Sequence, residues 1–245
     1  MSYALCIGDT SLILAQRLGE WVGHAPALEE DLALANIGLD LLGQARHLLT
    51  YTAELEGRGR SEDDLAFLRD PQDFLNLSLV EQPNGDFGQT IVRQFLIDAW
   101  QLELFERLQH SSEPKFAELA AKALKETRYH FRFSSGWLVR LGDGTEESHR
   151  RVQTALDALW RFTHEMFVAS PAEQDAVTRA IAPDPASLAA AWSSRVDEVL
   201  KEATLTRPAD VPYAWHGKRG QHSEHLSRLL AEMQVMQRTY PGAQW

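Results

Sequence analysis

LALANIGLDLLGQARHLLTYTAELEG, residues 32–57, carries leucine at every seventh position (Leu34, Leu41, Leu48, Leu55), with Ile37, Gln44 and Tyr51 three residues after the first three. This is the a/d spacing of a helix that buries one stripe in a bundle seam. Gly57 and Gly59 close the pattern, as glycine does past a helix end. Gln44 is the exception in an otherwise apolar seam. A buried amide needs hydrogen-bond partners, so the neighbouring helices should carry inward polar residues of their own.

Proline and glycine divide the rest of the chain into further helices. The reading places helix 1 at about Thr10 to Val22 and helix 2 at Leu28 to Glu56, followed by a short helix around Ser61 to Arg69. After the Pro83-Asn84-Gly85 turn, helix 3 runs from Asp86 to about His110, and helix 4 from Pro114 to Leu141. Helix 5 spans about Thr145 to Val168. Ser170-Pro171-Ala172-Glu173 has the form of a capping box with proline at the first helical position. Asp184-Pro185 starts another helix ending near Ala203, a polar loop covers Thr206 to Gln221, and the last helix runs from Ser223 to Thr239. The alternating β-branched runs that mark strands are absent.

Two more seams carry polar residues. Helix 3 shows Ile91, Phe95, Leu102 and Phe105 with Asp98 among them; helix 4 shows Ala120, Thr127, Ser134 and Leu141 beside Ala123, His130 and Trp137. Bundles that bind two irons take a carboxylate from each of two helices and a Glu-x-x-His pair from each of the other two. The corresponding places here read Leu41-x-x-Gln44 and Thr127-x-x-His130, with Asp98 on the helix between. In helix 1 the stripe runs through Leu14, Leu18 and Trp21, which leaves Glu20, the remaining first-helix carboxylate, on a solvated edge. The prediction is an all-α fold: one domain over residues 1–245, with a ferritin-like four-helix bundle core over about 10–141 and additional helices over about 145–245. Asp98, His130 and Gln44 form a hydrogen-bonded polar layer in this reading; a metal or proton site is the alternative. Lys125 and Glu126 beside Thr127 are read as surface or interface pairs.

The 35 acidic against 24 basic residues give a net charge of −11, which speaks against a nucleic-acid-binding role, since phosphate contacts need a basic surface. The one cysteine, Cys6, allows no intrachain disulfide, and no His or Asp pattern marks it as a nucleophile. MSYALCIGDT lacks the basic and long apolar regions of a secretory signal, and no apolar run approaches the ~20 residues that span a bilayer. A soluble cytoplasmic protein is expected. The segment WHGKRGQHSEH groups His216, Lys218, Arg219, His222 and His225 without the spacing of a zinc site, and reads as a loop contacting a partner.

Several strings carry a resemblance: LALANIGLDLLGQARHLL (32–49), LVEQPNGDFGQTIVRQFLIDAW (79–100), KALKETRYHFRFSSGWLVRLGDGT (122–145), LWRFT (159–163) and KRGQHSEHLSRLLAEMQ (218–234). Over nearly its whole length the chain resembles the family of structural C subunits of the bacterial phenylacetyl-CoA epoxidase complexes. The resemblance implies a noncatalytic member of the complex that pairs with a related catalytic A subunit, which holds a di-iron centre and binds the CoA thioester. A reductase with flavin and an iron–sulfur cluster supplies the electrons. It implies no catalytic residue, metal or cofactor in this chain, and it leaves a homodimer or higher assembly open. Against the catalytic relative's Asp-Glu-x-Gly-His, this chain reads Asp40-Leu41-Leu42-Gly43-Gln44; against its Glu-x-Phe-His it reads Thr127-Arg128-Tyr129-His130. The rival readings are a stand-alone metalloenzyme using Asp98, His130 and Glu20, and a small-molecule-binding helical bundle.

Overall fold

The computed structural model describes residues 1–212 and 214–243. Among these, every regular element is helical, and the one β-type contact is an isolated bridge between His216 and Gln221. The chain is all-α. In order the α-helices are α1 (Ser2–Trp21), α2 (Leu28–Glu56), α3 (Glu62–Phe67), α4 (Phe87–Leu108), α5 (Pro114–Gly142), α6 (Glu146–Trp160), α7 (Pro171–Thr178), α8 (Ala189–Glu202), α9 (Glu224–Met233) and α10 (Val235–Thr239). Short 3₁₀ turns sit at Pro71–Asp73, Thr163–Phe167, Pro185–Leu188 and Gly217–Arg219. None of the helices is long and apolar enough to cross a membrane.

The chain forms two compact units, Met1–Pro83 with Trp215–Trp245, and Asn84–Ala214. The first is built on α1 packed along α2. Their short connection makes the pair antiparallel. α2 buries Leu34, Ile37, Leu41, Gln44 and Leu48 as the seven-residue pattern predicts, but Leu55, in its last turn, is exposed. α1 begins two turns earlier than expected and buries 16 of its 20 residues, so it is a core helix rather than an amphipathic one. Gly8 explains the closeness of the pair: a Cβ there would lie 3.1 Å from the Leu48 Cβ. Two buried polar residues of α1 find partners from elsewhere in the same unit. Asp9 pairs with buried Arg69 and accepts from the Leu75 amide at 2.9 Å; Thr10 accepts from the Leu77 amide at 3.1 Å.

The second unit is built on α4, which packs on α5, α6 and α8 and buries most of its length. Its caps follow the sequence. Asp86 accepts from the Gln89 amide at 2.9 Å, and Ser170 and Glu173 close the capping box at 3.3 and 2.7 Å. Two expected helices end early. The one predicted to reach Val168 stops at Trp160 and continues as a 3₁₀ turn, and the C-terminal helix breaks at Gln234. In the first case Thr163 donates to the Trp160 carbonyl at 2.8 Å, a local alternative to the helical ladder. In the second, the Gln234 side chain donates to the carbonyls of Ala66 and Arg69, both at 3.1 Å.

Candidate functional site

Helical spacing puts Gln94, Asp98 and Gln101 on one face of α4, and Thr127, His130 and Ser134 on one face of α5. All six are fully buried. Asp98 is the centre of this polar interior: Gln94 Nε2 donates to its Oδ1 and Ser134 Oγ to its Oδ2, each at 2.7 Å. Burial disfavours the charged form and raises the Asp98 carboxyl from 3.8 to about 6. Charge interaction with His130 and the hydrogen bonds from Ser134 and Gln94 pull in the opposite direction without cancelling it. The Thr127 hydroxyl and both amide atoms of Gln101 have no hydrogen-bond partner among the described residues. His130 meets the Tyr129 ring edge-on, with centroids 6.3 Å apart.

The positions marked in the sequence divide between the two units. Asp98, Thr127 and His130 lie together in the second. Leu41 and Gln44 are buried in the first, on the seam of α2. Glu20 is also in the first unit, and it is half-buried rather than on a solvated edge. Its carboxylate takes both oxygens to Arg17 Nη1, at 3.1 and 2.8 Å, and Arg17 is itself buried and donates to the Glu81 carbonyl. Gln94, Gln101 and Ser134 join the site although the sequence reading does not count them as site residues. Their signal is present, since they stand four or three residues along the same faces from Asp98 and His130.

As a donor set for metal, these positions are poor. Leucine offers no donor atom, and hydroxyl and amide oxygens are weak iron ligands beside carboxylate and imidazole. Among the described residues no group of three or more His, Cys, Asp or Glu side chains comes together as a cage. The residues present do not fit a dinuclear iron centre.

A second polar cluster lies in the first unit and includes part of the C-terminal loop. Lys218 and His222 of that segment are turned inward and their side chains are largely buried, while Arg219 is exposed. His222 Nδ1 lies 2.5 Å from Glu81 Oε1 and Nε2 lies 2.8 Å from the Phe74 carbonyl. A carbonyl only accepts, so Nε2 carries a proton. Glu81 already accepts from Asn76 Nδ2 at 3.0 Å, the Ser223 amide at 2.9 Å and Ser223 Oγ at 2.6 Å. Glu81 is thus bonded on both oxygens, and His222 bridges it to the Phe74 carbonyl. The contact ties the C-terminal segment to residues 74–81. Gly217 presses the same segment inward, where an added Cβ would collide with the Asn76 carbonyl.

A sequence model of the family described as phenylacetic acid catabolic protein matches residues 1–245. The chain belongs to that family. It is also 56% identical over 244 residues to the C subunit of 1,2-phenylacetyl-CoA epoxidase from Escherichia coli (strain K12), an alignment covering 100% of this chain and 98% of that protein. Within the phenylacetic acid catabolic family, the two polar clusters thus belong to a chain whose likeness to a named member of an epoxidase complex extends from end to end.

Proposed function

We propose that this chain is a noncatalytic structural subunit of a multicomponent phenylacetyl-CoA 1,2-epoxidase, working in the cytoplasm in aerobic phenylacetate degradation. It pairs with the di-iron catalytic subunit of the same complex, while flavin and iron–sulfur chemistry belong to the reductase. The fold that goes with this reading is a ferritin-like bundle core with accessory C-terminal helices. The observation that carries it is the donor set: Leu41 and Thr127 stand where a di-iron protein of this resemblance has glutamates, and Gln44 stands where it has a histidine. The identity to a protein named as the C subunit of such an epoxidase supports the same reading.

The role of this chain is mechanical. Ligand-bearing helices in a catalytic partner hold their geometry only while something packs against them, and small drifts of reacting groups are costly. Asp98, with Gln94 and Ser134, serves here as a hydrogen-bonded polar layer that specifies how α4 meets α5. The test is co-expression with the catalytic subunit, followed by affinity capture on one chain and gel filtration. A joint peak, with epoxidation by the catalytic subunit falling when this chain is left out, is the expected result. Separate elution at micromolar concentration, or full activity without this chain, overturns the proposal.

A further inference from the structure

α5 carries six Lys or Arg residues against two glutamates, Glu118 and Glu126. This net charge of +4 stands in a chain of net −11, so the remainder carries −15. Lys122, Lys125, Tyr129, Arg132, Gly136 and Arg140 follow one another at intervals of three or four residues and share one face, with Arg128 at its edge. It is the face opposite Thr127, His130 and Ser134. The five cations from Lys122 to Arg140 are exposed, and none forms an ion pair among the described residues. Other arginines of the same unit do so: Arg107, Arg150, Arg195 and Arg207 each hold an Asp or Glu. Arg132 lies over the Tyr129 ring at 5.6 Å and Arg140 over the Trp137 ring at 5.2 Å. Such stacking steadies a guanidinium and leaves its donors to solvent.

Gly136 sits on this face between Arg132 and Arg140, and a Cβ there would meet nothing within 4 Å. Glycine inside a helix is less stable than alanine, and no close packing within the chain requires it here. What it supplies is bare backbone for a body outside the chain to approach. From Lys122 to Arg140 the row is about 27 Å long, at 1.5 Å per residue. Charges spread so far along a convex helix suit a row of carboxylates better than one small anion. A flat anionic bilayer would bring the rest of an acidic chain against like charge, whereas a protein can confine its acid to a matching row. Repulsion from the remainder then favours a single orientation.

We propose that this face of α5 docks an acidic surface of the electron-supplying reductase. Hydrated charge with little apolar area, Tyr129 being 40% exposed, gives fast, salt-sensitive and reversible association rather than permanent assembly. That is the character of redox encounters between proteins. The docking rests on the function proposed above and gives one component of that complex its place on this chain.

The test is steady-state epoxidation by the assembled complex as purified reductase is varied, at low and at high salt. For the wild type, the reductase concentration giving half-maximal rate should rise with salt. Lys125→Glu with Arg128→Glu and Arg132→Glu should raise it by about tenfold or more at low salt. The same variant should lose most of the salt dependence and keep its rate at saturating reductase. Gly136→Leu changes no charge and fills open space, so it should raise the half-maximal concentration without lowering the melting temperature. Both variants should still co-elute with the catalytic subunit. A reductase dependence unmoved by the three glutamates overturns the docking site, and one unmoved by Gly136→Leu overturns the close approach at that residue. Loss of the catalytic subunit from the triple variant alone reassigns the face to that subunit and overturns the proposal. Sedimentation of the wild type, but not the triple variant, with phosphatidylcholine–phosphatidylserine vesicles assigns the face to a membrane and overturns it likewise. A wild-type chain that does not co-elute with the catalytic subunit removes the proposed function itself, and this docking with it, before any variant is made.

Discussion

Replacing Asp98 by alanine tests the polar interior of the second unit quantitatively. The substitution strips the acceptor from Gln94 Nε2 and Ser134 Oγ, both at 2.7 Å and both buried. Each donor left unpaired costs about 1–3 kcal/mol, so the lost contacts amount to roughly 2–6 kcal/mol. Against this, the wild-type protein bears the cost of ionising a buried carboxyl. Its rise from 3.8 to about 6 corresponds to about 3 kcal/mol, at about 1.4 kcal/mol per tenfold change in acidity. The sign follows from proton counting. Between those two values the folded state binds more protons than the unfolded one, so stability falls as pH rises through the window. Near pH 4.5 about 1 kcal/mol of that cost is present, and by pH 8 nearly all of it. Asp98→Ala should therefore destabilise by roughly 1–5 kcal/mol near pH 4.5 and by about 2 kcal/mol less at pH 8. Urea denaturation of both proteins at both pH values, followed by far-ultraviolet circular dichroism, measures the double difference and cancels every titrating group not coupled to Asp98, as His130 is. A loss that is equal at the two pH values, or larger at pH 8, would refute the assignment of Asp98 as a buried carboxyl that keeps its proton to near pH 6.

Two further outcomes are expected. His222→Ala removes the buried contacts to Glu81 and to the Phe74 carbonyl and should cost about 1–3 kcal/mol for each partner left unpaired, with earlier proteolytic cleavage in the C-terminal segment. An unchanged melting temperature and cleavage pattern would mean that the pair does not tie that segment down. The chain expressed alone in iron-replete cells and purified without chelator should carry background iron by metal analysis; close to two irons per chain would show the donor-set reading to be wrong.

Much of the candidate site can be read from spacing. Asp98 with Gln94 and Gln101, and His130 with Thr127 and Ser134, each follow from helical periodicity on one element, because side chains three, four and seven residues apart share a face. The Ser170–Glu173 capping box is a motif of four residues and forms as written. Glu81 gives no such sign. Its partners His222 and Ser223 are separated from it by 141 and 142 residues, and nothing local distinguishes a glutamate that will be buried from one on the surface. The C-terminal histidines are visible in the sequence as a group, but their direction is not. Sequence reading does not show that Lys218 and His222 turn inward, His222 against Glu81 and the Phe74 carbonyl.

The sequence by itself determined the all-α class, the position of the long helices, most of their caps and the absence of carboxylate or imidazole at Leu41, Gln44 and Thr127. These depend on local periodicity, on turn chemistry and on the donor atoms a residue owns. Tertiary structure decided which apolar face of α2 is core. Leu34, Leu41 and Leu48 are buried while Leu28, Leu32, Leu39 and Leu42 are not, although both sets keep helical spacing. It also made α1 a buried helix with Gly8 against Leu48, and it turned Lys218 and His222 inward. The reason is the same in each case: burial is conferred by what packs against a residue, and those neighbours come from distant parts of the chain.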